Sequence, residues 1–402
     1  MGRLLRTRMK SFLRRSIVLS LVFFLMSCAH YYPPSYKADL LNERWMPAVD
    51  RDPNPWLSNV DHWFLHPVSP YPRSVASSVM LVPLPSTVTR VQIAGHFQVK
   101  FMITPGSNRV EIEGPHALIQ RIGVKVTQKT LMLIELPKPP DVTCASSSVE
   151  ADAKDTPNNI GCVVVRIGLK HITSIAQTGP GLITGQIVGN DALCVTSSGS
   201  GDIYLAGSMP VSGIRSSGRG DITLLGVVSP DVVIVTSGTG TVNVYGNVGV
   251  RSIVHTGQSN INVIGVNTNH LTIDAGGCGK IGLYGMMAID CINARSHVIV
   301  YAYNVSSHTL KVNTVDYAVV GLAGSADTFT VNTRQASRFM GYHLYTHDAF
   351  ARSYDASHIT TRANKQLFAA ASGDSSVYGI NSARVLTQVV KRNGVVLAIP
   401  AS

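Results

Sequence analysis

A glycine frame recurs through the middle of this chain and limits what it can fold into. It first reads Gly199-Ser-Gly201-Asp-Ile203-Tyr-Leu205-Ala-Gly207. It returns as Gly218-Arg-Gly220-Asp-Ile222-Thr-Leu224-Leu-Gly226 and as Gly238-Thr-Gly240-Thr-Val242-Asn-Val244-Tyr-Gly246. Two further copies are Gly257-Gln-Ser-Asn-Ile261-Asn-Val263-Ile-Gly265 and Gly277-Cys-Gly279-Lys-Ile281-Gly-Leu283-Tyr-Gly285. The leading glycines are 19, 20, 19 and 20 residues apart. A fixed period of this size marks a solenoid. Apolar and polar residues alternate inside each unit, which is the period of a strand. One such unit cannot bury its own apolar edge, and stacking like units is the remedy.

Each unit reads as one coil. Val195, Ile214, Ile234, Ile253 and Ile273 precede the leading glycine of their units by four residues, and Ile203 and its equivalents follow it by four. The glycines fall where the chain turns between the two strands. The expected architecture is all-β: a right-handed parallel β-helix over residues 163–402, in about ten to eleven coils and about 50 Å long at ~4.8 Å per coil. Ile203, Ile222, Val242, Ile261 and Ile281 should make one inward stack, with Ser, Thr and Asn columns outside. An open terminal coil is an aggregation template. Residues 385–399, with Asn393-Gly394 between two apolar runs, should therefore close it as a hairpin.

The amino terminus points to the cell envelope. Arg3, Arg6, Arg8, Lys10, Arg14 and Arg15 precede an apolar run over residues 17–26, which ends in Leu25-Met-Ser-Cys28. A basic stretch, a short apolar core and small residues before a cut describe a secretory signal, too short for a membrane span. The Leu-x-Ser-Cys ending resembles a bacterial lipobox. That resemblance implies removal of residues 1–27 and lipidation of Cys28, and Ala29 after the cysteine implies the outer membrane. The signal holds six of the net eleven positive charges, which leaves +5 on the mature chain. That is no nucleic-acid footprint. Residues 151–402 contain no glutamate, so acid–base machinery is sparse.

Residues 28–87 hold all three tryptophans (Trp45, Trp56 and Trp63) among many prolines and read as a tether, or as a docking segment for an envelope partner. Cys144 and Cys162 bracket a polar insertion. If strands over 131–136 and 163–167 pair as a hairpin, these two sulfurs form a disulfide, worth roughly 3 kcal/mol in the chain-entropy model. Cys194, Cys278 and Cys291 read as ordinary small buried residues.

Residues 88–162 form a β-rich entry. Gly95-His-Phe97-Gln-Val99, then Val110-Glu-Ile-Glu-Gly114, a short helix from His116 to Ile122, and Leu131-Met-Leu-Ile134 follow one another. This order, followed by Ser-Gly-x-Gly-x-Ile repeats, is similar to the autotransporter-adhesin head family, the GIN domain. The resemblance covers residues 88–285 well and 286–402 loosely. It implies the fold and a surface location, and no chemistry.

Three constellations could carry chemistry. Asp202 and Asp221 stack in one turn column, but that column continues as Thr241, Asn260 and Lys280, and a lysine does not suit a calcium ladder. Arg219-Gly220-Asp221 spells a cell-adhesion tripeptide, in a repeat turn that accounts for it. His343, Tyr345 and His347 alternate near Asp348, Asp355 and His358, but histidines four apart on an extended strand stand ~13 Å apart. No paired carboxylates recur on neighbouring coils as glycoside cleavage requires. The expectation is a binding or adhesion scaffold that is not an enzyme and needs no cofactor or metal, held to the membrane by its lipid and meeting an unknown protein or glycan. A structural subunit of an envelope or secretion assembly is the alternative, and a polysaccharide-cleaving β-helix the weakest reading. The candidate binding stripe is Leu225, Tyr245, Ile264 and Tyr284, which begins at Ala206 and nears Tyr301 and Tyr303. These positions alternate with inward leucines and valines, so they should face outward, yet they are apolar and aromatic.

Overall fold

The structure, a computed structural model, describes residues 77–102, 108–137, 163–189, 191–380 and 385–399. The chain divides into units 1–72 and 73–402, and every described residue lies in the second.

Strands β1 (Ser77–Pro83), β2 (Arg90–Ala94), β3 (Gln98–Met102) and β4 (Arg109–Pro115) lead to helix α1 (His116–Ile119). Strands β5 (Ile122–Thr127) and β6 (Thr130–Glu135) follow. Next come five short strands: β7 (Val164–Gly168), β8 (Ser174–Gln177), β9 (Ile183–Gln186), β10 (Leu193–Ser197) and β11 (Ile203–Met209). After β12 (Val211–Ser216), each coil is a single long strand: β13 (Ile222–Thr236), β14 (Val242–His255), β15 (Ile261–Ala275) and β16 (Cys278–Ala294). The series continues through β17 (His297–Thr314), β18 (Val319–Thr333), β19 (Arg338–Asp355) and β20 (His358–Gly373). It ends in β21 (Ser376–Ile380), β22 (Val385–Lys391) and β23 (Val395–Ile399). Parallel pairing of successive coils builds a β-solenoid of about 11 turns.

The expected inward stack is present. Ile203, Ile222, Val242, Ile261 and Ile281 pair in register and are fully buried. Val195, Ile214, Ile234, Ile253 and Ile273 form a second stack on another face. Between them runs a third face that the two-strand reading of the repeat omits. Its buried residues include Val227, Val248, Val266, Met287 and Val305. The chain reaches this face by bending at Gly226, Gly246, Gly265 and Gly285, all at positive φ. A Cβ at Gly265 would run into the carbonyl oxygen of Gly246 one coil below, so that corner admits only glycine, while Asn304 takes positive φ at the corner after Tyr303. Each buried Ile, Val or Leu contributes about 1.5–3 kcal/mol, and only against its neighbours above and below.

The entry region is spliced into the solenoid. β3 lies between β7 and β9, and β2 lies between β6 and β8. Two antiparallel additions extend this end: β4 pairs with β1 and β7, and β5 pairs with β6.

Four expectations are corrected. The strands flanking the Cys144–Cys162 insertion do not form a hairpin, because β6 joins β2 and β5 whereas β7 joins β3 and β4. β1 lies within the stretch read as tether, so ordered chain begins by Ser77. No hairpin closes the far end: β22 adds in parallel to β20, and β23 to β21. Asn393-Gly394 is thus one more coil corner, and β22 and β23 make six and five residue pairs with the preceding coil. Lastly, Cys278 is disulfide-bonded, while Cys194 and Cys291 are free thiols. The expected lipidation of Cys28 and the expected Cys144–Cys162 disulfide lie outside the described residues.

Candidate functional site

The tyrosine column lies on the first face of the solenoid. Ala206, Leu225, Tyr245, Ile264, Tyr284 and Tyr303 pair coil to coil in unbroken register, and Ala323 and His343 extend the line. They alternate with Leu205, Leu224, Val244, Val263 and Leu283, all buried, and therefore point outward. Ile264 is 45% exposed. Leu225 and the three tyrosines are half-buried, each shielded by its neighbours along the column. Tyr284 and Tyr303 stack face to face, with ring centroids 5.1 Å apart and 8° between planes. Burial raises the phenol pKa of Tyr245 and of Tyr284, and burial with the neighbouring Tyr284 pushes Tyr303 up to about 12. All three remain neutral donors at any physiological pH.

Tyr301 is not a member of this column. It stands one column over, in register with Gly282 and Gly321, and the Lys280 ammonium lies 5.4 Å from its ring centroid. The same column carries Tyr204, Thr223, Asn243 and Asn262. Asn262 Nδ2 donates to Asn243 Oδ1 at 3.0 Å, one rung of an amide ladder. The face thus presents an apolar, aromatic stripe beside a polar one. Because Tyr284 and Tyr303 spend their ring faces on each other, they offer outward edges and hydroxyls.

The acidic turn column has a structural occupation. Asp202 Oδ1 accepts the Asp221 backbone N–H at 2.8 Å, and Asp221 Oδ1 accepts that of Thr241 at 2.6 Å. Asn260 Oδ1 accepts the N–H of Lys280 at 3.0 Å. Each side chain fastens the next turn, a task that requires a carbonyl-type oxygen and no metal. This accounts for Asp221 within the Arg219-Gly220-Asp221 tripeptide. The histidine group disperses: His343 ends the tyrosine column, the Tyr345 ring lies 4.1 Å from the Arg362 guanidinium, and His347 faces Asp327 at 3.4 Å. Among the described residues no group of three His, Cys, Asp or Glu could hold a metal ion. Glu111 and Glu113 both clasp Arg166, at 3.1 and 2.6 Å, which ties β4 to β7.

One polar feature escaped the sequence reading. Ser197, Ser216, Thr236, His255, Thr314, Thr333 and Ser353 are buried at a corner of the solenoid. Their signal was available: each stands two residues after an inward apolar residue and so shares its side. His255 is the largest of them. Its Nδ1 contacts Thr236 Oγ1 at 2.7 Å and its Nε2 lies 3.4 Å from the Cys278 carbonyl oxygen. Burial lowers its pKa.

The model of the family described as "Putative auto-transporter adhesin, head GIN domain" matches residues 88–304, which contain the whole run from Leu225 to Tyr303. The chain belongs to this GIN-domain family. No curated protein matches it. Among solved structures, a "putative adhesin" from Bacteroides fragilis is similar at 12% identity and a TM-score of 0.23, over 82% of this chain and 98% of that one. A "putative lipid binding protein" from Parabacteroides distasonis is similar at 9% identity and a TM-score of 0.26, with the same coverage. A "putative adhesin" from Parabacteroides merdae gives 9% and 0.24, again over 82% and 98%. The GIN-domain match includes the splice of β2 and β3 into the solenoid. It stops short of the last coils, where the glycine frame gives way.

Proposed function

We propose that this GIN-domain chain is a non-catalytic binding scaffold of the cell envelope, anchored in the outer membrane through lipid on Cys28, with a protein partner docking along the tyrosine stripe. The observation that carries the reading is the outward column Leu225, Tyr245, Ile264, Tyr284 and Tyr303, apolar over five successive coils where a solvent column would be polar. Ring edges and hydroxyls suit a protein surface better than a sugar ring, which would need open aromatic faces. Burial in a rigid sheet leaves little side-chain entropy to lose on docking. The family name "adhesin" and the lipobox-like Leu25-Met-Ser-Cys28 support the same placement.

Two experiments test the parts separately. The double variant Tyr245→Ser with Tyr284→Ser should abolish attachment of expressing cells to their partner surface while the melting temperature stays within a few degrees. Unchanged attachment would overturn the stripe as the site. Cys28→Ser should move the protein from the membrane to the soluble fraction, and continued membrane fractionation would overturn the anchor.

A further inference from the structure

A second site lies on another face, near the far end of the solenoid. Asp274, Asn293, Asn313, Asn332 and Arg352 occupy one outward column on successive coils. At Asp274 the column, which runs back through Val254 and Val235 to Arg215, is electrically closed, since Asp274 Oδ1 takes Arg295 Nη1 at 2.7 Å. Further along, the acid is replaced by asparagine and then by arginine. Arg334 and Arg352 there line a cavity of about 370 Å³ with Asn313, Asn332 and Tyr354. No carboxylate lines it. Among the described residues neither arginine has an acidic partner, in contrast to Arg295 two coils earlier on the same face. The acids at nearby corners are engaged: Asp316 Oδ2 accepts the Ser296 N–H at 3.0 Å and Asp355 Oδ2 that of Gln335 at 3.2 Å. Arg334 is steadied over the Tyr354 ring, 5.6 Å from its centroid.

The asparagines add a second kind of contact. Asn313 Nδ2 donates to Asn293 Oδ1 at 2.9 Å, and Asn332 Nδ2 to Asn313 Oδ1 at 3.1 Å. Asn313 and Asn332 each retain a further N–H and a further lone pair, one coil spacing of ~4.8 Å apart, whereas Asn293 Oδ1 also accepts the Cys291 thiol at 3.7 Å and keeps its N–H groups to offer. Such a row suits a ligand carrying hydroxyls at regular intervals. Two uncompensated guanidiniums at its end suit a planar or tetrahedral oxyanion, which arginine holds with paired hydrogen bonds. We propose that this groove binds an acidic oligosaccharide, with hydroxyls on the asparagine ladder and a carboxylate or sulfate between Arg334 and Arg352. The site is independent of the tyrosine stripe and stands or falls without it.

The test titrates the full chain with a fluorescent uronic-acid or sulfated oligosaccharide, with its neutral counterpart, and with phosphatidylglycerol-containing vesicles. Saturable binding of the acidic sugar should weaken with added salt and exceed that of the neutral sugar by about tenfold. Arg334→Gln with Arg352→Gln should reduce it by a further factor of about ten or more. Arg215→Gln with Arg219→Gln, which removes the same charge elsewhere, should leave it unchanged. Equal loss in both double variants would reduce the effect to net charge and overturn the site. Absence of sugar binding would also overturn it, and so would binding of the vesicles alone.

Discussion

Asp202 receives the backbone amide of Asp221 on its carboxylate, and Asp221 does the same for Thr241, so the two acids are links of one chain of turn fastenings. The oxygen matters and the charge does not, because Asn260 serves Lys280 in the same way. Asp221→Asn should keep stability within about 0.5 kcal/mol of the wild type. Asp221→Ala should cost about 1–2 kcal/mol by urea unfolding, the loss of a hydrogen bond with an amide left wanting. A larger cost for Asn than for Ala would contradict the fastening role.

His255 gives the fold a dependence on pH. Burial lowers its pKa in the folded state below the usual histidine value near 6.5, so the folded chain resists the proton that the unfolded chain accepts. Its contribution is whole above that value and is lost as the pH falls from there through the lower folded-state pKa. Urea unfolding at pH 7 and at pH 5 should therefore show a drop in stability that His255→Gln reduces. An equal drop in the variant would assign the acid sensitivity elsewhere.

Two glycines with different surroundings should respond oppositely to alanine. Gly265 has φ +86° and backs onto the Gly246 carbonyl, so Gly265→Ala should cost well over 1 kcal/mol. Gly213 has an ordinary φ and only the Val233 oxygen at 3.6 Å from a built Cβ. Gly213→Ala should be neutral or stabilise by about 0.4–1 kcal/mol. Denaturation midpoints of the two variants check both directions.

Non-reducing peptide mapping should recover Cys278 in a cystine-linked pair and Cys194 and Cys291 as free thiols. Cys291 should alkylate slowly near neutral pH, because burial raises its thiol pKa and thins the reactive thiolate. Recovery of Cys278 as a free thiol would refute the bond.

What the sequence reveals depends on how far apart the partners are. The 19–20 residue frame places Ile203 over Ile222 and Tyr245 under Ile264 because stacked coils repeat a local pattern. The middle face was hidden because its register shifts from coil to coil, as between Val248 and Ser252, so no fixed spacing marks it. The splice of β2 beside β8 joins residues some 84 apart, such as Arg90 and Ser174, and no period announces it. Asn393-Gly394 misled for a related reason. That dipeptide favours a tight hairpin locally, but β20 and β21 together offer eleven residue pairs, six to β22 and five to β23. Arg352 was silent because an arginine in an exposed column signals nothing until Asp274 is seen earlier in the same column.

The two ends of the solenoid are built differently, and this gives the molecule a mechanical direction. At one end β1, β4 and β5 are antiparallel braces laid against the first coils. At the other, β22 and β23 rest on β20 and β21 along one edge only, with Val389, Val390, Val395, Leu397 and Ile399 bare to solvent. Among the described residues the interior coils are clasped from both sides and the β22–β23 coil from one, so that coil has the fewest layer contacts. Under tension the described coils should yield first at the β22–β23 layer and peel toward the braced end one layer at a time, giving up length in even steps.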